Sequence, residues 1–419
     1  MTPKVKERIE QIRHGQVPKG YQVTRSGIVP SDWTMFRIDD CLERVEHPVK
    51  VQADKLYTQI GIRSHGKGLF YKEQVTGAEL GNKAVFWIEP DCFILNIVFA
   101  WEQAIGKTTS AEKGMIGSHR FPMYRPINNR VDVDYLINYF LTKRGAEILA
   151  AASPGGAGRN KTLGQDRFLK SKVVLPPLAE QRKIAKILAA QDKVIELKEK
   201  RLAEKQRQQK YLMQQLLTGK KRLKGFNGEW KKTPLKKLLK ERKTYSPKGA
   251  EYPHVTLSTE GIYAKSDRYD RDHLVKDEEK EYKITHKGDI CYNPANLKFG
   301  AICINKFGDA IFSPIYVTFE VGDNVSSAFL SNYLMCWDFI NAVRKYEEGT
   351  VYERMAVKPE DFLKFEVTLP SYEEQVAIAE VLLVADDEIN LLRRNLEQEK
   401  RKKKALMQLL LTGIVRVNV

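Results

Sequence analysis

Polar loops rich in arginine, lysine, asparagine and histidine occur in both halves of the sequence. Arg and Lys side chains pair with guanine edges and with phosphates, and Asn pairs with adenine edges, so such loops suit contact with nucleic acid. The candidate residues for this chemistry are Arg63, His65, Lys67, Arg120, Arg159, Asn160 and Lys161 in the first half, and Asn293, Asn296, Lys298, Tyr352 and Arg354 in the second. Each residue type is also common on ordinary surfaces, so the elements that carry the loops decide the interpretation.

No local motif predicts catalysis or metal binding. Residues 155–162 resemble a phosphate-binding loop, but Asn160 replaces the second required glycine and the loop follows a predicted helix rather than a strand. Residues 293–296 (Asn-Pro-Ala-Asn) resemble the Asn-Pro-Pro-aromatic motif of adenine methyltransferases, which the last two residues break. The cysteines include no Cys-x-x-Cys pair, so zinc is not expected. We expect no catalytic residue, metal or cofactor in this chain, although a site assembled from distant residues stays open.

The composition is globular and strongly basic. A length of 419 residues favours two domains plus connecting elements. The 70 Lys and Arg residues exceed the 53 Asp and Glu residues by 17, which favours a polyanionic partner, most often nucleic acid. Residues 198–243 hold most of this excess, with 17 basic and 4 acidic residues; acidic partner proteins are an alternative. The charged N-terminus and the lack of a long apolar stretch predict a cytoplasmic protein.

A long internal repeat organises the chain. The segments Leu175-Pro176, Glu180-Gln181 and Leu216-Leu217-Thr218-Gly219 recur as Leu369-Pro370, Glu374-Gln375 and Leu410-Leu411-Thr412-Gly413. Every pair is separated by 194 residues (375 − 181) with no insertion. Chance similarity between two helices does not hold register over such a length, so the sequence indicates a duplication.

Each copy of the repeat contains a predicted long helix. Apolar residues spaced by seven form a heptad seam, interrupted by Gln209 and Lys403. The seam residues are Leu188, Ile195, Leu202, Leu216, Leu382, Ile389, Leu396 and Leu410. Prolines precede the helices, and Gly219 and Gly413 follow them, as helix starts and ends favour. At about 1.5 Å per residue each helix is roughly 58 Å long. A generic coiled coil has the same stripe, so the surrounding duplication carries the interpretation.

The sequence predicts an α+β fold with two similar mixed α/β domains separated by two long antiparallel coiled-coil helices, related by a pseudo-two-fold axis. Such an axis would place the domains at opposite ends. The predicted segments are 1–25, which closes the arrangement beside the C-terminal helix, 26–175 (first domain), 176–222 (first helix), 223–369 (second domain) and 370–419 (second helix). Inside the domains we expect helices over Tyr135–Ala151 and Phe329–Val343 and a buried strand over Cys92–Trp101.

This combination of motifs resembles the specificity subunit of Type I restriction-modification enzymes. That family carries Leu-Pro, Glu-Gln, a long helix and Leu-Leu-Thr-Gly, and both copies here match over nearly the whole chain. The resemblance implies target-recognition domains that read a two-part sequence in double-stranded DNA. It implies two methyltransferase subunits and added restriction/translocase subunits, in which S-adenosylmethionine, ATP and Mg²⁺ act. It also implies that segments 179–217 and 373–411, including Glu180-Gln181 and Glu374-Gln375, set the gap and dock the methyltransferases.

Two other functions remain as alternatives. A basic coiled-coil scaffold would bind macromolecules without reading sequence, and a self-sufficient DNA methyltransferase would need the cofactor turn that the sequence lacks. Discrimination between one two-part DNA sequence and random duplex separates the first alternative from a specificity subunit.

Overall fold

The structure is a computed structural model that describes residues 3–24, 27–156, 161–247, 251–259, 261–265, 281–343, 347–348 and 356–418. The chain divides into two compact units, Met1–Lys198 with Asn395–Val419 and Glu199–Arg394. Each unit therefore contains one mixed domain and a part of each long helix, and each is described by itself below.

The helices are short inside the domains and long between them. They are α1 (Pro3–Arg13), α2 (Gly77–Leu80), α3 (Val133–Phe140), α4 (Lys143–Ala151), α5 (Gln165–Lys170), α6 (Leu178–Leu217), α7 (Ser327–Met335), α8 (Trp337–Val343), α9 (Pro359–Lys364) and α10 (Tyr372–Leu410).

The strands are also short. In the first unit they are β1 (Tyr21–Thr24), β2 (Gly27–Pro30), β3 (Thr34–Arg37), β4 (Leu42–Val45), β5 (Leu56–Ile62), β6 (Leu69–Thr76), β7 (Val85–Trp87), β8 (Phe93–Leu95), β9 (Ile105–Lys107), β10 (Ile116–Ser118), β11 (Met123–Pro126) and β12 (Lys172–Leu175). In the second unit they are β13 (Lys231–Pro234), β14 (Leu239–Glu241), β15 (Tyr245–Pro247), β16 (Val255–Ser258), β17 (Gly261–Ala264), β18 (Glu281–Thr285), β19 (Ile290–Tyr292), β20 (Ile302–Ile304), β21 (Ala310–Phe312), β22 (Val317–Val321), β23 (Glu347–Glu348), β24 (Ala356–Val357) and β25 (Glu366–Leu369).

Two sheets recur in both units. The sheet β4-β11-β8-β9 of the first unit has the same order and antiparallel pairing as β14-β22-β19-β20 of the second. The pair β3-β12, which joins the start of the first domain to its end, matches β13-β25. The remaining sheets differ between the units. The first unit has the four-stranded sheet β6-β5-β10-β7, and the second has the separate sheets β15-β18-β21, β16-β17 and β23-β24. The mixed helix-and-strand class expected from the sequence is confirmed.

A buried aromatic cluster forms the core of each domain. Phe168 stacks near Phe93 at 6.1 Å between ring centroids, and its repeat counterpart Phe362 stacks on Tyr292 at 4.9 Å. Phe168 and Phe362 are fully buried on the short helices α5 and α9, which precede the last strand of each domain. Phe168 and Phe362 are separated by 194 residues (362 − 168), so the repeat places a core phenylalanine in both units.

The two long helices run antiparallel in each unit. In the first unit Ile184 and Leu188, early in α6, share a core with Leu410 and Leu411 at the end of α10. In the second unit the end of α6 shares a core with the beginning of α10. All eight predicted seam residues are buried or half-buried, Ile195 and Leu202 being the half-buried ones. After each helix, Gly219 (φ 70°) and Gly413 (φ 72°) adopt the left-handed conformation that ends it.

Three of the predicted elements inside the domains were wrong in extent. The expected helix over Tyr135–Ala151 is two helices, because Thr142 accepts a hydrogen bond from the Gly145 amide and starts a new helix. The expected helix over Phe329–Val343 is likewise divided at Cys336, which has an extended backbone conformation. The apolar run Cys92–Trp101 forms a strand only over Phe93–Leu95, since Asn96 begins a turn.

Candidate nucleic-acid interface

A hairpin loop between two strands of the recurring sheet is the centre of the candidate site in the first unit. This loop, residues 96–104 between β8 and β9, is called the first reading loop. Asn96 is buried, and its side-chain oxygen accepts a hydrogen bond from the Val98 amide at 3.1 Å. A 3₁₀ turn over Ala100–Glu102 follows, and Gln103 (φ 59°) closes the loop in the left-handed conformation. The loop is therefore fixed by its own backbone and by one buried amide.

Candidate side chains from three distant segments meet at the first reading loop. The amides of His65 and Gly66 donate to the carbonyls of Glu102 and Gln103, which holds residues 63–68 against it. The amide of Ile97 donates to the carbonyl of Arg120 at 3.0 Å. On another side, the Lys161 ammonium lies 5.3 Å from the centre of the Trp101 ring. The structure thus brings together Arg63, His65, Lys67, Arg120 and Lys161, which the sequence separates by almost a hundred residues.

The cations around this loop are exposed but held in position. Arg63 donates to the Leu69 carbonyl at 3.0 Å and lies over the Phe70 ring. His65 adopts the left-handed conformation (φ 60°), which its contact with Glu102 supports. Arg63, His65, Lys67 and Arg120 are exposed and Lys161 is half-buried. Such side chains can reach a ligand without a change of backbone.

A basic cavity of about 710 Å³ adjoins the first reading loop. His65 and Gln103 line it on the loop side, and the start of α4 and the second half of α10 line it on the other sides. Besides His65, its basic lining residues are Lys143, Arg144, Lys400, Lys403 and Lys404. Among the described residues, no aspartate or glutamate lines it. The cavity continues the positive charge of the loop onto the long helix and suits an anion.

The second unit has the same loop in the same place. Residues 293–301 between β19 and β20 form the second reading loop, with Asn293 as the buried cap that accepts from the Ala295 amide at 3.1 Å. Gly300 (φ 84°) closes it. Asn296 and Phe299 are exposed, and the Lys298 ammonium lies 5.6 Å from the Phe299 ring centre.

The structure corrects one candidate and leaves four outside its description. Asn293 was proposed as a base-contacting residue, but its side chain is 7% exposed and is used to cap the loop, so it positions the loop instead. Arg159, Asn160, Tyr352 and Arg354 lie outside the described residues, and so does half of the 155–162 loop, namely residues 157–160.

The glutamine of each Glu-Gln dipeptide fastens a domain to a long helix. Gln181 is fully buried, donates to the carbonyls of Pro176 (2.9 Å) and Arg130 (2.8 Å), and accepts from the Asp132 amide (2.9 Å). Asp132 is the N-cap of α3. In the second unit Gln375 donates to Pro370 and accepts from the amide of Ser326, the N-cap of α7. One side chain therefore joins a domain helix to the start of a long helix in both units.

The glutamate of each dipeptide forms a buried ion pair with an arginine that follows the other long helix. Arg416 binds both carboxylate oxygens of Glu180 at 2.7 and 2.8 Å and also contacts Asp32. Arg222 binds both oxygens of Glu374 at 2.7 and 2.6 Å. Both glutamates are 1% exposed. These pairs, called the junction pairs below, tie the end of one long helix to the start of the other within each unit.

The N-terminal helix contacts the segment that follows α10. Arg8 donates to the Ile414 carbonyl at 3.0 Å and lies over the ring of Tyr21. The Tyr21 hydroxyl donates to the Gly413 carbonyl at 2.7 Å. The beginning and the end of the first unit are thus joined by hydrogen bonds.

The described residues contain no cluster of three or more His, Cys, Asp or Glu residues able to hold a metal ion. Burial raises the pKa of Cys41, Cys92 and Cys303 to about 11, so these thiols are protonated at neutral pH. No helix in the described part of the chain has the length and apolar character needed to cross a membrane.

Comparison with known proteins shows which family this chain resembles. Residues 30–207 match the family model for the Type I restriction modification DNA specificity domain. The MjaX specificity subunit of Methanocaldococcus jannaschii, named as a type I restriction enzyme subunit, is 25% identical over 95% of this chain and 97% of its own length. The MjaVIII specificity subunit of the same organism is 24% identical over 93% and 94%. This chain is therefore similar to Type I specificity subunits over nearly its whole length.

Several solved structures share the fold of this chain. They include the HsdS subunit from Thermoanaerobacter tengcongensis (17% identity, TM-score 0.51, 92% of this chain and 98% of that one) and a chain from a type I R-M complex (16%, 0.58, 92% and 99%). The S subunit from M. genitalium matches with 11% identity and a TM-score of 0.54 over 92% and 96%.

The Glu-Gln dipeptides of this chain bond to other parts of the chain itself. They were expected to help dock methyltransferases, but all four side chains are buried and bonded within the chain. Sequence reasoning also missed Arg222 and Arg416, whose separation of 194 residues (416 − 222) was the available signal. Asn96 was missed because a single asparagine in an apolar run gives no pattern.

Proposed function

We propose that this chain reads a two-part DNA sequence for a Type I restriction-modification complex, with one domain for each half-site and no catalytic role of its own. The observation that carries the proposal is the convergence of basic side chains from three distant segments on the first reading loop, a loop whose backbone hydrogen bonds the second unit repeats. Base edges in the major groove present acceptors that Arg, Lys and Asn side chains recognise. A loop that is held by backbone hydrogen bonds gives such side chains the defined geometry that discrimination between bases needs.

The basic cavity supports a second part of this proposal, which is contact with the phosphate backbone. Lys143 and Arg144 lie at the start of α4, where the first amides of a helix have no acceptor within it and favour anions. Lys400 and Lys404 face the same cavity from α10. Phosphate contacts of this kind position a protein on DNA without reading its sequence.

A repeated exposed leucine on the long helices supports docking of two methyltransferase subunits. Leu197 and Leu391 occupy equivalent positions in the repeat and are 54% and 52% exposed. An exposed leucine kept in both copies has no packing role inside either unit, and two equivalent sites suit two copies of one partner. In this proposal the complex acts in the cytoplasm, restriction/translocase subunits join it, and S-adenosylmethionine, ATP and Mg²⁺ act in the partner subunits.

The first experiment is co-expression with the methyltransferase subunit, followed by mapping of methylated adenine across the host genome. We expect methylation of one two-part sequence. Replacing residues 26–175 by the matching domain of another family member should change one half-site and leave the other. Methylation of random duplex would instead support a scaffold that binds without reading sequence, and a change in both halves would contradict one domain for each half-site.

The docking proposal is tested with Leu197→Glu, Leu391→Glu and the double variant. Each single change should leave one methyltransferase bound per chain and the double change none, as measured by native mass spectrometry of the co-expressed complex. Val384→Glu is the matched control, because Val384 is 69% exposed on α10 but its counterpart in α6 is Ala190. Equal losses from the control would mean that the repeated leucines do not define the docking sites.

A further inference from the structure

The two reading loops are copies of one another at the level of single hydrogen bonds. Their strands and loops align without insertion over residues 93–107 and 290–304, at a separation of 197 (290 − 93). In the first loop the Asn96 amide donates to the Ala104 carbonyl, and in the second the Asn293 amide donates to Ala301. Four further backbone hydrogen bonds recur, each written here as the amide donor followed by the carbonyl acceptor. They are Phe99–Asn96 and Asn296–Asn293, Ala104–Phe99 and Ala301–Asn296, Gln103–Ala100 and Gly300–Leu297, and Ile105–Gln103 and Ile302–Gly300.

The side chains that these identical frames display are different. Trp101 and Glu102 of the first loop correspond to Lys298 and Phe299 of the second. Glu102 accepts a hydrogen bond from the Ser64 hydroxyl and is thus engaged with a neighbouring segment. Phe299 instead is 66% exposed, although burial of a phenylalanine side chain stabilises a protein by about 1.5–3 kcal/mol. A rigid frame that holds an aromatic ring in solvent indicates a use for the ring outside the chain.

We propose that Phe299 stacks on, or inserts between, the bases of the half-site that the second domain reads. This inference rests on the proposed function and names the residue through which the second domain senses base stacking. The surroundings favour DNA as the occupant, because Asn296 is exposed on the same loop and the Lys298 ammonium lies beside the ring. An amide, a cation and a flat apolar ring are the groups that contact a base edge, a phosphate and a base face.

The frame gives the ring the stiffness that insertion needs. Gly300 closes the loop in the left-handed conformation, and the buried Asn293 fixes its start. Leu297, one residue before the Lys298–Phe299 pair, is 1% exposed and anchors the turn in the core of the domain. An apolar side chain held in this way can separate a base step and select steps that unstack easily, such as pyrimidine–purine steps.

The test measures binding and methylation by the whole complex with Phe299→Ala and Phe299→Trp. Loss of one base–aromatic stack should weaken binding to the target duplex roughly tenfold, and Phe299→Trp should restore most of it. Mapping of methylated adenine should show relaxed sequence preference only in the half-site of the second domain. In a target duplex that carries 2-aminopurine at the affected step, binding of the unchanged complex should alter the fluorescence, and Phe299→Ala should abolish the change.

Phe307→Ala is the matched control. Phe307 is also an exposed phenylalanine of the second domain (43%), but it lies in the turn between β20 and β21, outside the reading loop. We expect no change in its affinity or in its methylated sequence. Unchanged binding in Phe299→Ala, or an equal loss in both variants, would overturn the inference. If the unchanged complex itself showed no sequence preference, the proposed function would fail instead.

Discussion

Both units have a junction pair, but the other contacts of the buried glutamate and its arginine differ between the units. In the first unit two side chains bond to the buried Glu180: the Trp33 indole donates to it at 3.3 Å, and Arg416 binds both Glu180 and Asp32. In the second unit Arg222 forms the ion pair with Glu374, and within the described part of the chain the equivalent Trp230 indole nitrogen is buried without a hydrogen-bond partner. Arg222 lies over the Trp230 ring instead, at 5.6 Å. The comparison teaches that a duplicated joint keeps its charge pair while the supporting contacts diverge.

The largest expected effect comes from removing the arginine of each junction pair. Arg222→Ala leaves a buried carboxylate without its cation and should lower the free energy of unfolding by about 3–5 kcal/mol. Arg416→Ala should cost less, about 2 kcal/mol, because the Trp33 indole still donates to Glu180. Denaturant titrations followed by circular dichroism measure both. Equal losses would mean that the Trp33 contact does not distinguish the two junctions.

The glutamine joints allow a sharper comparison of the same kind. Gln181→Glu keeps the shape of the side chain but removes the donors to Pro176 and Arg130, and Gln375→Glu removes the donor to Pro370. We expect the first change to lower the free energy of unfolding by about 2–3 kcal/mol and the second by about 1–2 kcal/mol, since buried unsatisfied groups cost this much. Gln208→Glu, at an exposed position of α6, is the control and should have little effect.

The polar pairs on the helix seam differ by one charge. Lys403 pairs with Asp192 in the first unit, whereas Gln209 hydrogen-bonds to Asp386 in the second. Burial raises the pKa of Asp386. The folded state therefore binds a proton more readily than the unfolded state, and this stabilisation is complete below the unfolded pKa and lost as the pH rises through the folded pKa.

Gln209→Lys copies the charged pair into the second unit. The added cation should lower the pKa of Asp386, remove this pH dependence and raise the free energy of unfolding at neutral pH by about 0.5–1 kcal/mol. Urea titrations at mildly acidic and neutral pH check it. The reciprocal Lys403→Gln should shift the first unit in the opposite direction, and the same sign for both changes would contradict the equivalence of the two pairs.

The smallest expected effect concerns Glu399 of the first unit, which responds to acid in the opposite sense from Asp386. Hydrogen bonds from Lys198 and Gln191 lower the pKa of Glu399 to about 2. Its stabilisation is present above the unfolded pKa and lost as the pH falls through the folded pKa. Lys198→Met should return that pKa toward its ordinary value, as carboxyl NMR titration would show. Lys210→Met, at an exposed position later in α6, should leave it unchanged.

The sequence predicted the elements that local pattern controls. Heptad spacing and flanking Pro and Gly predicted helices over 179–217 and 373–411, and the structure has Leu178–Leu217 and Tyr372–Leu410. Pattern could not reveal partners that lie far apart in the chain. The ion pair of Arg416 with Glu180 spans more than half of the sequence, and a periodicity of seven carries no information about it. Tertiary hydrogen bonding, rather than helix propensity, decides the roles of these buried side chains.

In the candidate site, too, the sequence identified residue types but not the contacts between distant segments. Residue type identified Arg63, His65, Arg120 and Lys161, but only the fold shows that they surround one loop. Residue type was misleading at Asn293, because an asparagine at the start of a turn favours its own backbone amides over an external ligand. Asn293, which caps the loop, and Asn296, which is a candidate for base contact, are both asparagines, and only their burial distinguishes the two roles.

In the two reading loops, the groups that hold the backbone in place differ from the side chains that face solvent. In each loop the buried asparagine caps the loop, and the ring of backbone hydrogen bonds uses no side chain. Asn296 and Phe299 are exposed, whereas Val98, Trp101, Ala295 and Lys298 are half-buried. Substitutions at exposed positions usually change stability by less than about 0.5 kcal/mol. Mutation at an exposed position such as Phe299 can therefore change what the loop displays while the domain stays folded.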